Sequence, residues 1–145
     1  METFVVPGTV ESLGPIREFV RSKAAEAGLD KKRAYRLQLA VDEIASNIAL
    51  HGYQEQGLAG DIAVQAEIGS DGLTITLVDS AVPYDPYSRV LPSDLDAPLQ
   101  DRAIGGLGVY LAINNVDQFL YRFDDGHNHN IFVALRERES PSTAT

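Results

Sequence analysis

The sequence contains no cysteine, which excludes disulfide bonds, thiolate zinc sites and thiol nucleophiles. It also has little positive charge: 12 Lys and Arg residues stand against 21 Asp and Glu residues, and the formal net charge is −9. Such an acidic chain repels a phosphate backbone, so we expect no direct nucleic-acid partner. The lack of thiols fits a reducing compartment.

Long apolar runs are missing as well. No stretch approaches the roughly 20 residues that a membrane-spanning helix needs, and the opening residues METFVVP lack the basic and apolar regions of a signal peptide. We therefore expect a cytoplasmic protein with no membrane partner. The 145 residues, 44% of them hydrophobic, suffice for one domain with a substantial core.

Helical and strand patterns follow one another along the chain. Apolar spacing predicts a first helix between Val10 and Gly28, Asp30 is suited to cap a second helix that runs to about His51, and a third helix follows Gly106. β-branched and alternating segments predict strands at 3–6, 61–68, 73–78, 119–123 and 130–135.

This order of elements predicts an α+β fold, a two-layer sandwich with helices on one face of a mainly antiparallel sheet. The first strand is predicted to lie at an edge. The segment from Pro83 to Ile104 is rich in proline and aspartate, which favours a loop. We assign residues 1–136 to this domain and expect a disordered tail over residues 137–145.

The second predicted helix carries the first candidate functional residues. At 100° per residue one apolar stripe runs along it: Leu37, Val41, Ile44 and Ile48. Glu43 and Asn47 lie one turn apart at the border of that stripe. The side-chain oxygen of Asn47 suits magnesium, and Glu43 can accept a hydroxyl proton in line with a γ-phosphate. A solvated or capping pair is the common alternative for this spacing.

Two further clusters fit the same chemistry. Asp79 follows a predicted strand and can accept a hydrogen bond from the exocyclic amine of adenine, although an aspartate that starts a turn is commoner. Glycines at 105, 106 and 108 open a helix, where backbone N–H groups can approach phosphates; a hinge is the alternative. No P-loop motif is present. His127 and His129 lack a further ligand tied to them by sequence, so we expect no metal there.

Taken in order, these clusters resemble the Bergerat-fold ATPases shared by gyrase, Hsp90, histidine kinases and MutL, and most closely the small anti-sigma-factor serine kinases of bacteria. Residues 39–53, LAVDEIASNIALHGY, resemble the N box of that family. Residues 79–86 resemble its first glycine box, and residues 105–111 its second. The resemblance extends over nearly the whole chain, from the first strand to Arg136.

The resemblance implies that Glu43 is the general base, Asn47 the magnesium ligand and Asp79 the adenine reader, below a lid from about Tyr87 to Ile104. Within the matching boxes, the residues expected to bind the nucleotide are Asn47, Asp79, Ala81, Pro83, Gly105, Gly106, Leu107 and Gly108. The resemblance also implies ATP and magnesium as cofactors, an anti-anti-sigma protein as the substrate, a sigma factor as a second partner, and a homodimer.

One position departs from the family pattern. Ala81 stands where that pattern has glycine, so its methyl group could crowd a purine or require a different backbone angle. Pro83 is a variation that the small kinases share. Two alternatives to a serine kinase stay open: a nucleotide-independent binding module of the same fold, and an ATP hydrolase or detached histidine-kinase catalytic domain.

Overall fold

A five-stranded sheet forms one layer of the structure, a computed structural model that describes residues 1–89 and 104–136. Its strands are β1 (Glu2–Pro7), β2 (Asp61–Ile68), β3 (Gly72–Asp79), β4 (Gln118–Asp124) and β5 (His127–Leu135). They lie in the order β1-β2-β3-β5-β4, and each pairing is antiparallel. The prediction of an antiparallel sheet with the first strand at an edge is confirmed.

The helices α1 (Leu13–Glu26), α2 (Lys31–Asn47) and α3 (Ile104–Asn114) form the second layer. Alternate residues of the central strands are buried beneath the helices, and the intervening residues are more exposed. On β3 the buried face ends with Ile75, Leu77 and then Asp79, and on β5 it runs through Asn128 and Asn130 before it becomes apolar. Two neighbouring strands thus carry polar residues at the same end of the core.

The second helix begins as predicted and ends differently. The Asp30 side chain accepts a hydrogen bond from the Arg33 N–H at 2.8 Å, and the Arg33 guanidinium lies 3.5 Å from the other carboxylate oxygen of Asp30. The α-helix stops at Asn47 instead of continuing to about His51, and a π-helical segment, Ile48–Gln54, follows it. Such wide turns are frequent at functional sites.

Tyr53 fastens this π-helical segment to the sheet. Its side chain is buried, and its hydroxyl donates to the Asp61 carbonyl at 2.8 Å and accepts from the Ser80 N–H at 2.9 Å. The ring lies directly against Gly8 and Gly60, where an added Cβ would overlap it. Tyr53 therefore connects the end of the helical segment to the start of β2 and the end of β3.

The remaining predicted elements are confirmed within a few residues. Asp125 and Gly126 both have positive φ, 53° and 78°, in the two-residue turn between β4 and β5. Pro86–Arg89 forms a 3₁₀ turn at the start of the predicted lid. Most of that lid, and the predicted tail, lie outside the described residues. Within the described ranges no helix is long and apolar enough to cross a membrane.

Replacing Tyr53 with phenylalanine tests this connection. The Tyr53→Phe variant leaves the Ser80 N–H and the Asp61 carbonyl without their shared partner, so we expect the free energy of unfolding to fall by about 1–3 kcal/mol. Tyr35→Phe is the control because Tyr35 is 59% exposed on α2, and its effect should stay within about 0.5 kcal/mol. Urea denaturation measures both values, and equal stabilities of the two variants would contradict the anchoring role.

Candidate functional site

A cavity of about 200 Å³ opens between the end of α2 and the polar ends of β3 and β5. Residues from two of the predicted clusters line it: Asn47, Asp79, Ala81 and Pro83. The π-helical segment contributes His51 and Gly52, and β5 contributes Asn128 and Asn130. The structure therefore brings the end of the second helix and the residues after the third strand to one place.

Asp79 forms part of the cavity wall with its two carboxylate oxygens in different roles. It is 2% exposed. Oδ1 accepts hydrogen bonds from Asn128 Nδ2 at 2.9 Å and from the Ala81 N–H at 3.0 Å, so this oxygen forms the turn that follows β3. Oδ2 is buried and has no hydrogen-bond partner among the described residues. Oδ1 therefore has the turn-forming role considered for this aspartate, and Oδ2 remains an acceptor without a partner within residues 1–89 and 104–136.

Asn128 organises the segment from Asp79 to Tyr84. Besides its bond to Asp79, its Nδ2 lies 3.2 Å from the carbonyl oxygens of both Ala81 and Val82. Its Oδ1 accepts from the Tyr84 N–H at 3.1 Å and from the Tyr121 hydroxyl. Sequence analysis did not select Asn128, because its position opposite Asp79 follows only from the pairing of β3 with β5.

Ala81 occupies its position without backbone strain. Asp125 is the single non-glycine residue with positive φ in the described ranges, so Ala81 has an ordinary backbone angle. Ala81 is 5% exposed, and a Cβ on Gly52 would lie 2.9 Å from its methyl group. Gly52 thus leaves the space that the Ala81 methyl group fills.

Glu43 belongs to α2, and its carboxylate lies against α3. A Cβ built on Gly108 would overlap Glu43 Oε1 and lie 2.9 Å from its Cδ, so the carboxylate packs directly on the Gly108 backbone. Asp42, the preceding residue, instead forms an ion pair with Arg17 of α1 at 2.8 Å. Asp42 therefore contacts α1, whereas Glu43 contacts α3.

Burial raises the pKa of both carboxyl groups. The pKa of Glu43 is raised mainly by burial and further by the Asp42 carboxylate, while His51 lowers it in part. The pKa of Asp79 is raised by burial, and hydrogen bonds from Asn128 and Ala81 lower it in part. Both groups thus hold protons at higher pH than exposed carboxyl groups do.

The predicted glycine run opens the third helix. Gly105, Gly106 and Leu107 lie in the first turn of α3, which begins at Ile104, and Gly108 follows against Glu43. Asn47, one turn beyond Glu43, lines the cavity, and its side chain does not cap the turn that follows. Contact between Glu43 and Gly108 therefore brings the first and third predicted clusters together.

The histidine pair lies on β5 near the turn that leads into the strand. His127 Nδ1 is 2.9 Å from the Asp125 carbonyl oxygen. Within residues 1–89 and 104–136 no group of three or more His, Asp or Glu side chains is arranged to hold a metal ion.

Comparison with known proteins identifies the fold family. A family model described as the histidine kinase-like ATPase domain matches residues 6–133. The chain belongs to the histidine kinase-like ATPase family. The predicted resemblance to Bergerat-fold ATPases is thereby confirmed.

Individual relatives of this chain have modest sequence identity to it. Serine-protein kinase RsbW of Bacillus cereus (strain AH187) is 28% identical over 124 residues, which cover 83% of this chain and 76% of that protein. Serine-protein kinase RsbW of Bacillus anthracis (strain CDC 684 / NRRL 3495) is 27% identical with the same coverage. The likeness of this ATPase domain to these kinases extends over most of both chains.

A solved structure shares the fold. The RsbU and RsbW domains of a Mycobacterium tuberculosis protein superpose with a TM-score of 0.63 and 18% sequence identity. The match covers 97% of this chain and 34% of the other. At this identity the likeness shows that the fold of the ATPase domain is shared.

The raised pKa of Asp79 predicts a pH-dependent stability. The folded protein holds the Asp79 proton above the ordinary pKa of 3.8, so Asp79 makes the wild type less stable as the pH rises from about 4 through the folded-state pKa. The Asp79→Asn variant lacks this titration. We expect wild-type stability relative to Asp79→Asn to fall with pH, by at most about 1.4 kcal/mol per pH unit.

Urea denaturation between pH 4 and 8 measures this difference. Glu43 titrates in both proteins and cancels in the comparison. Asp71→Asn, in the exposed turn between β2 and β3, controls for the loss of one negative charge. If the difference between wild type and Asp79→Asn did not change with pH, burial of the Asp79 carboxylate would not affect its titration.

Proposed function

We propose that this chain is an ATP- and magnesium-dependent serine-protein kinase and a switchable anti-sigma factor. The observation that carries the proposal is the buried Asp79 Oδ2, an acceptor without a partner in the wall of a cavity that Asn47 also lines. Membership of the ATPase family and similarity to proteins named serine-protein kinases support the reaction class. The domain assignment of residues 1–136 is part of this proposal.

The adenine end of the site is Asp79. A buried carboxylate oxygen that lacks a donor is complementary to an exocyclic amine, and guanine presents a carbonyl oxygen at the corresponding position. Asn128 holds the other oxygen of Asp79, which fixes the direction of the free one. Ala81 and Pro83 line the same cavity and complete its apolar wall.

The phosphate end of the site is the border between α2 and α3. Asn47 offers a neutral amide oxygen, the hard ligand type that magnesium accepts while it keeps most of its waters. The backbone N–H groups of Gly105, Gly106 and Leu107 belong to the first turn of α3, where a helix favours negative charge. When bound, ATP would supply the phosphoryl group, and magnesium would neutralise negative charge on the phosphates.

Glu43 is the proposed general base. Partial burial raises its pKa and thus makes its carboxylate a stronger base than an exposed one, although the carboxyl is still ionised when the pH exceeds that pKa. With ATP bound, the carboxylate would accept the proton of an incoming serine hydroxyl as the hydroxyl oxygen bonds to the γ-phosphorus. The bond between that phosphorus and the β,γ-bridging oxygen would break, and ADP would leave. Gly108 leaves room for the carboxylate, since a Cβ at that position would overlap it.

The proposed partners follow from the same family likeness. The serine belongs to an anti-anti-sigma protein, a sigma factor is held when that protein is phosphorylated, and the kinase acts in the cytoplasm as a homodimer. Incubation with γ-labelled ATP and a panel of anti-anti-sigma proteins tests the reaction. Label on a partner serine supports a kinase; free phosphate alone indicates a hydrolase, and label on histidine indicates a histidine kinase domain.

Nucleotide binding is tested first, by calorimetry with ATP and magnesium. We expect wild type to bind ATP in preference to GTP. Asp79→Asn should bind ATP at least about 10-fold more weakly, because an amide N–H₂ would replace the free acceptor and face the amine. Since Asp79→Asn removes a buried charge, it should fold at least as stably as wild type, which separates lost binding from unfolding. Absence of any heat with wild type would favour the nucleotide-independent module.

The general-base role of Glu43 is tested with Glu43→Gln. We expect phosphoryl transfer to fall about 10²–10⁴-fold, because glutamine cannot take the serine proton, while ATP affinity stays within about 3-fold. Glu18→Gln is the control, since Glu18 is an exposed acid on α1. A Glu43→Gln protein that binds ATP and transfers phosphate at the wild-type rate would rule out this role.

A further inference from the structure

One exposed side of α2 carries basic and apolar side chains together. Four residues follow the spacing that places side chains on the same side of a helix: Lys32, Tyr35, Arg36 and Leu39. The two cations are exposed, the tyrosine is 59% exposed and the leucine 40%. We call these four residues the basic face of α2. Its positive charge contrasts with the formal net charge of −9.

The charges of the basic face do not stabilise the helix. Lys32 lies in the first turn of α2, where the helix dipole disfavours positive charge, and that turn contains no acidic residue. Lys32 and Arg36 are four residues apart, a spacing at which like charges repel each other. Within residues 1–89 and 104–136, neither of them takes part in an ion pair. Both cations are therefore available to a partner.

Tyr35 and Leu39 give the same face an apolar component. Exposed apolar residues that stand alone are common on protein surfaces, but these two lie beside two cations on one side of one helix. Tyrosine and arginine are enriched among the residues that contribute most to protein interfaces. The combination is complementary to a partner segment with acidic side chains and one apolar side chain.

The basic face leads to the proposed general base. Glu43 follows Leu39 by four residues and Arg36 by seven, so the three lie within about 60° of one another around the helix. At about 1.5 Å per residue, Arg36 lies roughly 10 Å and Lys32 roughly 16 Å from Glu43 along the helix axis. An extended partner segment covers about 3.3 Å per residue. If its serine reaches Glu43, residues about three to five positions away lie beside the two cations.

We propose that the basic face of α2 docks the serine-bearing partner through a segment that has acidic residues and one apolar residue about three to five positions from the serine. This inference rests on the proposed kinase function and deepens it by giving the chemistry of the substrate segment. The docking residues and Glu43 belong to the same helix, so docking aligns the serine with the base.

Binding measurements test this surface separately from phosphoryl transfer. Calorimetry with a panel of purified anti-anti-sigma proteins, with ADP in place of ATP, compares wild type with three variants: Lys32→Glu, Arg36→Glu and Leu39→Ala. We expect each substitution to weaken binding about 5-fold or more, and added salt to weaken wild-type binding. Changing an acidic residue of the partner segment to lysine should restore affinity for Arg36→Glu.

Matched controls come from β4. Arg122 is exposed and Leu120 is 45% exposed, so Arg122→Glu and Leu120→Ala make the same changes on the sheet and should bind the partner as wild type does. Thermal unfolding controls for folding. Lys32→Glu places an acid in the first turn of α2, so this variant should unfold at or above the wild-type temperature. Weaker binding by such a variant cannot result from misfolding.

Phosphoryl transfer from γ-labelled ATP gives the second readout. At saturating ATP, Arg36→Glu should raise the KM for the partner about 5-fold or more and leave kcat within about 2-fold, because the substitution affects docking alone. If wild type binds a panel member but transfers no phosphate, while the variants bind that protein more weakly, the docking surface stands and the proposed kinase function fails.

Two results would overturn the docking surface itself. In the first, wild type binds no member of the panel, or the variants bind as tightly as wild type. In the second, the substitutions change self-association in sedimentation experiments and leave partner affinity unchanged, which would assign the basic face to contact with a second copy of this chain.

Discussion

The hydrogen bonds that Asn128 makes across the β3–β5 pair hold the functional edge of the sheet together. Through one amide, β5 binds the Asp79 carboxylate and two carbonyl groups of the turn that follows it. The turn brings Ala81 to Gly52 of the π-helical segment, and Tyr53 ties the same segment to Ser80. Because Asn128 and the Ala81 N–H occupy one oxygen of Asp79, the other oxygen has no partner among the described residues. The geometry of the cavity wall therefore depends on hydrogen bonds between segments that lie far apart in the sequence.

Partial desolvation of polar groups is a common property of the residues around the cavity. Asp79 Oδ2 and Asn130 Oδ1 are buried without hydrogen-bond partners in the described part of the chain, and Glu43 is partly buried against Gly108. Apolar residues at such positions would stabilise the empty protein, so the arrangement favours a bound ligand over stability alone. The confirmed fold family gives this arrangement a natural occupant, a nucleotide, and the proposed roles of Asp79 and Glu43 follow from their different environments.

Local pattern accounts for most of the fold and for part of the site. The helical periodicity of α2 predicted that Leu37, Val41 and Ile44 are buried, as the structure shows. The same periodicity predicted that Glu43 and Asn47 lie together at the border of that stripe. The π-helical end of the helix was not predicted, because its wide turn accompanies contacts of Gly52 and Tyr53 with distant strands. Ala81 stands where the family pattern has glycine, and Gly52 leaves room for its methyl group within the protein, a match between residues of different elements.

The sequence by itself determined the order of helices and strands, the cap at Asp30 and the position of Asp79 at a strand end. Backbone periodicity and short-range turn chemistry encode these features. Only the tertiary structure decided which oxygen of Asp79 stays free, because its partner Asn128 lies 49 residues away. The same holds for Asn130, because only the pairing of β5 with β3 and β4 places it on the buried face of the sheet. A buried side chain acquires partners, or lacks them, only when segments that are distant in the sequence pack together.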